Sequence, residues 1–71
     1  MAEDVKAQIT GVVFQVVAGP GTRVAAGDAI VVLESMKMEI PVEAPRAGVV
    51  KAVHVAEGQT VQEGDVVASL D

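Results

Sequence analysis

Apolar residues in this chain come in short valine-rich runs, each closed by glycine, proline or a polar cluster. No stretch of about ten or more residues keeps an apolar stripe at helical spacing without a breaker inside it. The pattern predicts an all-β domain. Strands are expected roughly at Val5 to Ile9, Val12 to Ala18, around Val24, Ala29 to Glu34, Met38 to Ala44, Gly48 to Val55, around Val61, and Val66 to Leu70. Turn signals fall at Gly19-Pro20-Gly21, Gly27-Asp28, Pro45 to Gly48, Gly58 and Gly64-Asp65. Pro41 cannot donate to a ladder, so its strand is expected along an edge or with that nitrogen facing away from a neighbour.

The pattern also repeats. Sliding the chain by 37 positions matches Gly11 with Gly48, Val12 with Val49, Val13 with Val50 and Val16 with Val53. The register holds for Gly21 with Gly58, Val24 with Val61, Gly27 with Gly64, Asp28 with Asp65 and Leu33 with Leu70. Within each copy the inward positions change parity. Bulges near Phe14-Gln15 and Lys51-Ala52 would return Val13 and Val16, and Val50 and Val53, to one core. The same offset pairs Glu34 with Asp71 and sets Lys37 just ahead of the counterpart of Met1. A pseudo-two-fold relation then puts the two termini together, at the end opposite Lys37.

With 71 residues and 51% of them apolar, there is room for one domain spanning 1–71 and none for a deep catalytic cleft. Phe14 is the sole aromatic, so valine and alanine must fill the core, with Ile9, Ile30, Ile40, Leu33 and Leu70 as larger fillers. A net charge of −5 with scattered Lys6, Arg23, Lys37, Arg46 and Lys51 argues against nucleic acid and anionic membrane as partners. The absence of cysteine removes disulfides, a thiolate nucleophile and sulfur metal ligands together. Met1-Ala2-Glu3-Asp4 is acidic and unlike a signal peptide, and it reads as the start of a complete small cytoplasmic protein.

Side chains fit for catalysis are few. His54 is the only histidine and reads as a surface residue; no metal site is expected around it. Ser35, Ser69, Thr10, Thr22 and Thr60 have no local base, and Glu34, Glu39 and Glu43 read as solubilising strand carboxylates. Gly27, Asp28, Gly64 and Asp65 recur in both copies straight after one another, which argues for turn formation. Lys37 stands apart. It lies at the seam of the repeat, between Met36 and Met38, in the run Glu34-Ser35-Met36-Lys37-Met38-Glu39. Two methionines bracketing a lysine at a hairpin tip would offer flexible apolar surface around one amine.

That run resembles the attachment motif of biotin carboxyl carrier domains, whose core is alanine-methionine-lysine-methionine. The stretches Ile40-Pro41-Val42-Glu43-Ala44-Pro45-Arg46-Ala47-Gly48 and Val55-Ala56-Glu57-Gly58-Gln59-Thr60-Val61-Gln62-Glu63-Gly64-Asp65 are similar to the rest of such domains, so the resemblance covers almost the whole chain. Ser35 departs from the usual alanine but is equally small. The uninterrupted turn from Ala18 to Arg23 is similar to the thumbless forms of the family.

The resemblance implies a flattened barrel, or sandwich, of two four-stranded antiparallel sheets with Lys37 on an exposed hairpin turn. It implies that a biotin protein ligase joins biotin to the Lys37 amine, with Glu34, Ser35 and Glu39 flanking the motif and helping recognition. Met36 and Met38 are expected to shape the packing of the biotin arm. A biotin carboxylase and a carboxyltransferase, of an acyl-CoA carboxylase type, are the implied enzyme partners of a monomeric, non-catalytic carrier. A lipoyl carrier resembles the same fold but places aspartate before and alanine after its lysine, where this chain has methionine on both sides. An unmodified structural module of the same shape would not require the motif lysine.

Overall fold

A computed structural model describes residues 2–71; Met1, the counterpart of Met38 in the repeat, lies outside the described residues. The elements are β1 (Glu3–Lys6), β2 (Gly11–Val16), β3 (Arg23–Val24), β4 (Ala29–Ser35), β5 (Met38–Glu43), β6 (Gly48–Val53), β7 (Thr60–Val61) and β8 (Val66–Leu70). They form two four-stranded sheets, one in the order β1-β8-β6-β3 and the other β5-β4-β2-β7, with every pairing antiparallel. The all-β reading and the two-sheet architecture agree with this arrangement.

The 37-residue offset is a structural symmetry. It carries β2 onto β6 and β3 onto β7 residue for residue, and it carries one sheet order onto the other. Pairing Val13↔Leu33 and Gln15↔Val32 in one sheet becomes Val50↔Leu70 and Ala52↔Ser69 in the other. The residues skipped in these registers, Phe14 and Lys51, are the expected bulges, and they restore Val13 and Val50 to the core. Pro41 sits on β5, an edge strand, where its missing donor costs no ladder bond in the sheet interior.

Between the sheets lie Ile30, Leu33, Leu70, Val13, Val31, Val50, Val61 and Val67, all fully buried. Each such side chain contributes roughly 1.5–3 kcal/mol on leaving water. Ile9 only packs against this cluster from its margin and Ile40 is half-buried, so the larger fillers reduce to Ile30, Leu33 and Leu70. Ile40 loses its place because β5 is an edge and the inner side of an edge strand is open on one flank.

Several strand ends differ from the pattern. β1 begins earlier than expected, at Glu3; it stops at Lys6, and β5 at Glu43, because the next residue of each clamps a turn in the backbone. Ala7 donates to the Asp65 carbonyl and accepts from the Gly64 amide, each at 2.9 Å; Ala44 does the same with Asp28 and Gly27 at 2.8 and 2.9 Å. Likewise β2 ends at Val16 and β6 at Val53, after which Val17 and His54 make single bonds back to Ile30 and Val67.

β5 leaves the Lys37 turn and runs six residues away from it. Just beyond its far end, the Arg46 guanidinium bonds the Glu3 carboxylate at 2.8 Å and the Asp71 carbonyl at 2.9 Å. Glu3 and Asp71, near the two ends of the described chain, therefore meet at the end of the molecule opposite Lys37, as the symmetry predicts. That end is pinned, and the lysine end projects freely along a body 33 Å long.

Candidate functional site

The lysine turn is the tightest connection a hairpin allows. Ser35↔Met38 is the last pair of the β4–β5 ladder, which leaves Met36 and Lys37 as a two-residue loop. Both have positive φ, 53° and 66°, and no other non-glycine residue described does. Positive φ at both central positions is the mark of a type I′ turn, whose twist matches the strands it joins and whose usual occupants are Asn and Gly. Met and Lys hold it at a steric cost of roughly 1–2 kcal/mol per residue. Backbone strain kept at an exposed tip is a common trait of functional positions.

The ladder beneath the turn supplies the rigidity. Leu33 is fully buried two residues before Ser35, and β5 returns in continuous register from Met38↔Ser35 to Val42↔Val31. Gly11 lets β2 close in beside this base: a Cβ there would stand 2.8 Å from the Glu34 carbonyl oxygen. At the symmetric Gly48 the nearest backbone atom, the Asp71 carbonyl oxygen, stands off at 3.5 Å and the Arg46 guanidinium fills the space at 2.7 Å, so the backbone approach is closer on the lysine side.

At the tip, Met36 is 89% exposed and Met38 57%, and Lys37 is exposed between them. Among the described residues no hydrogen bond or ion pair engages the Lys37 amine. Glu34 and Glu39 face each other directly across the hairpin, both exposed, and Ser35 is half-buried below the turn. The structure thus gathers the whole six-residue run around one projecting amine. It is the arrangement of a group to be acted upon. Replacing Met36 with Asn, which tolerates positive φ better, is expected to raise the unfolding free energy by about 1 kcal/mol. Denaturant melts of the two proteins check this, and a lower midpoint for the Asn variant contradicts the strain argument.

The turn residues lie elsewhere. Asp28 Oδ2 accepts the Ala25 amide and Asp65 Oδ2 the Gln62 amide, both at 2.8 Å, while Gly27 and Gly64 adopt φ of 90° and 93°. The carboxylates therefore close other loops, that of Asp28 being separated from Lys37 by the length of β4.

Sequence distance hid one cluster. His54 Nε2 lies 2.9 Å from Ser69 Oγ, whose hydroxyl donates to Asp4 Oδ1 at 3.3 Å. His54 is exposed as expected, but it is not unpartnered. With the Ser69 proton directed at Asp4, the imidazole must present N–H to Ser69, the reverse of a general base; nor does Asp4 orient the ring. The chain of bonds ties β8 and edge strand β1 to the residue that follows β6.

A shallow cleft of about 240 Å³ between β1 and the end of β5 is lined by Glu3, Asp4, Val5, Lys6, Gln8, Glu43 and Pro45. It lies at the terminal end, remote from the amine. Among the described residues no three His, Cys, Asp or Glu side chains gather as a metal set, and no helix is long and apolar enough to cross a membrane.

A family model described as "Biotin-requiring enzyme" matches residues 1–70. The chain is 52% identical over 70 residues to the biotinylated protein TB7.3 homolog of Mycobacterium leprae, covering 99% of both. Among solved structures, urea carboxylase of Kluyveromyces lactis contains a segment that superimposes on the whole chain with a TM-score of 0.95 at 35% identity, and the chain spans 6% of that protein. The lipoyl domain of the 2-oxoglutarate dehydrogenase complex of Azotobacter vinelandii aligns over 96% of the chain and 94% of the domain, with a TM-score of 0.76 at 30% identity. With a match along nearly its full length, a close relative over the same span and a lysine at the tip of the same fold, the chain belongs to the biotin/lipoyl attachment family of biotin-requiring enzymes.

Proposed function

We propose that the chain is a biotin carboxyl carrier, biotinylated on Lys37 by a biotin protein ligase, that moves carboxyl groups between a biotin carboxylase and a carboxyltransferase. The observation that carries this is the amine itself, projecting from a strained two-residue turn between two exposed methionines, with no hydrogen bond or ion pair to it among the described residues. Support also comes from the relative whose name records biotinylation and from the carboxylase that contains this fold.

Attachment needs little from the carrier beyond access. The neutral Lys37 Nζ attacks the carbonyl carbon of an activated biotin acyl group; the C–N bond forms, the bond to the leaving group breaks, and the amine gives up a proton to the ligase site. Bound biotin supplies a ureido nitrogen that accepts and releases a carboxyl group. The chain contributes a stiff base for the tether, and tethering holds the group at high effective concentration near both partner sites. The pinned terminal end faces away, so connection there leaves the arm clear. The lipoyl domain shares the fold, but methionine on both sides of Lys37 favours biotin over lipoate.

Catalysis then belongs to the partners, and the cytoplasm, with its ATP and bicarbonate, is the proposed site of action. The test mixes the biotinylated chain with a biotin carboxylase, MgATP and labelled bicarbonate. Label retained on the chain, and none on a Lys37→Arg chain, is the expected result. A biotinylated chain that acquires no label from any carboxylase subunit tried is not a carboxyl carrier.

A further inference from the structure

The internal duplication provides a matched control for every surface position. Two outer faces share one backbone, yet their side chains differ in kind. On the sheet that carries Lys37, Phe14 is 48% exposed, Pro41 is exposed and Val32 is half-buried between Pro41 and Gln15. Their counterparts on the other sheet are Lys51, Asp4 and Ser69. The same bulge that holds Phe14 holds a lysine in the second copy, so the fold does not require an aromatic there.

Charge divides in the same way. The strands of the Lys37 sheet contain Glu34, Glu39 and Glu43 and no Lys or Arg, whereas Lys6, Arg23 and Lys51 all lie in strands of the other sheet. Glu34 and Glu39 oppose each other across the ladder, a pairing that costs stability in isolation. One face is therefore an apolar centre with a carboxylate rim, adjoining the turn, and the other is mixed.

Resting on the carrier reading, we infer that the outer face centred on Phe14, Val32 and Pro41 is the docking surface for the ligase that acylates Lys37, and that the ligase meets it with an apolar recess rimmed by Lys or Arg. Reach selects this partner. To acylate the bare amine, the ligase must come within one lysine side chain of the turn, so it must cover the surface beside it. A stable interface takes about 800 Å² from each partner, about a fifth of this molecule's 4188 Å². The three residues at the tip cannot supply that area; the adjoining face can. A second copy of the chain is disfavoured as occupant, because it would set one carboxylate rim against another.

The experiment measures initial rates of biotin transfer by a biotin protein ligase with biotin and MgATP, over a range of carrier concentrations. Phe14→Lys reproduces the residue that the second copy tolerates at the same bulge, so folding is preserved. It is expected to raise KM for the carrier about tenfold with kcat little changed, as for an interface anchor. Glu43→Lys, which copies Lys6, should raise KM several-fold at low salt and lose that effect at high salt. Lys51→Ala should leave both constants unchanged. Amide NMR of the unreactive Lys37→Arg chain titrated with ligase should show shifts at Val12, Phe14, Val32 and Glu43. An unchanged KM for Phe14→Lys, shifts confined to Val49, Lys51 and Ser69, or a wild-type chain that dimerises through Phe14 overturns the proposal while the carrier reading stands. A wild-type chain that the ligase does not modify overturns both.

Discussion

Lys37→Arg yields a folded domain that accepts no biotin: this is the largest effect expected of any single substitution in the chain. The fold should not register the change. No described hydrogen bond or ion pair involves the Lys37 amine, the side chain is exposed, and arginine meets the positive φ with the same Cβ that lysine has. Surface changes of this kind stay within about 0.5 kcal/mol. The chemistry, by contrast, ends. A guanidinium keeps its proton throughout the accessible pH range and offers no nucleophilic lone pair, so the amide cannot form. The remaining lysines, Lys6 and Lys51, lie in strands of the opposite sheet and lack a turn to project them. Co-expression with a biotin ligase, followed by an avidin blot and intact mass, should show one biotin on the wild type and none on the variant, with superimposable circular dichroism. An avidin signal of wild-type strength from folded Lys37→Arg protein would falsify the assignment of this lysine.

Much of this site could be read from the sequence because duplication doubles the signal. A single valine run is ambiguous, but glycines and valines recurring in register located both bulges and set the chain ends opposite Lys37, while the missing donor of Pro41 allowed for the edge position it takes. The six-residue run around Lys37 was legible for a similar reason: all its members are contiguous, so the hairpin that presents them needs no distant contact to assemble it.

Features made by non-local pairing were out of reach. The His54–Ser69–Asp4 chain joins strands β8 and β1 to the residue after β6 and spans 65 positions of sequence from Asp4 to Ser69. Strand ends were misplaced by a residue or more because Ala7 and Ala44 bond to turns rather than to ladders, a choice that hydrophobicity does not encode. The left-handed backbone at Met36 and Lys37 could not be anticipated either, since neither residue type favours it. It follows from a register fixed below the turn by Leu33 and Val42, which leaves two residues to reverse the chain.

That geometry sets the second large effect. Exchanging Met36 and Lys37, so that the turn reads lysine-methionine-methionine, keeps composition, charge and exposure but moves the amine one place. Adjacent residues of a two-residue turn project in different directions, and the reacting nitrogen must meet an activated acyl carbon held in the ligase. A displacement of about 1 Å at a reacting centre can cost roughly 100-fold in rate, and a change of turn position moves the amine farther than that. Transfer to the exchanged chain should therefore fall by about 100-fold or more while the domain stays folded. Gly64→Val provides the contrast. Its φ of 93° is strained for any side chain although nothing lies within 4 Å of the added Cβ, so it should cost roughly 1–3 kcal/mol of stability without touching the lysine turn. Single-turnover transfer rates, taken beside thermal melts, separate the two variants. The exchanged chain should melt like the wild type and react slowly, whereas Gly64→Val should melt lower and react in proportion to its folded fraction. Fast modification of the displaced lysine would mean that the ligase follows the amine wherever the hairpin points it, and the geometric account of the turn would then be wrong.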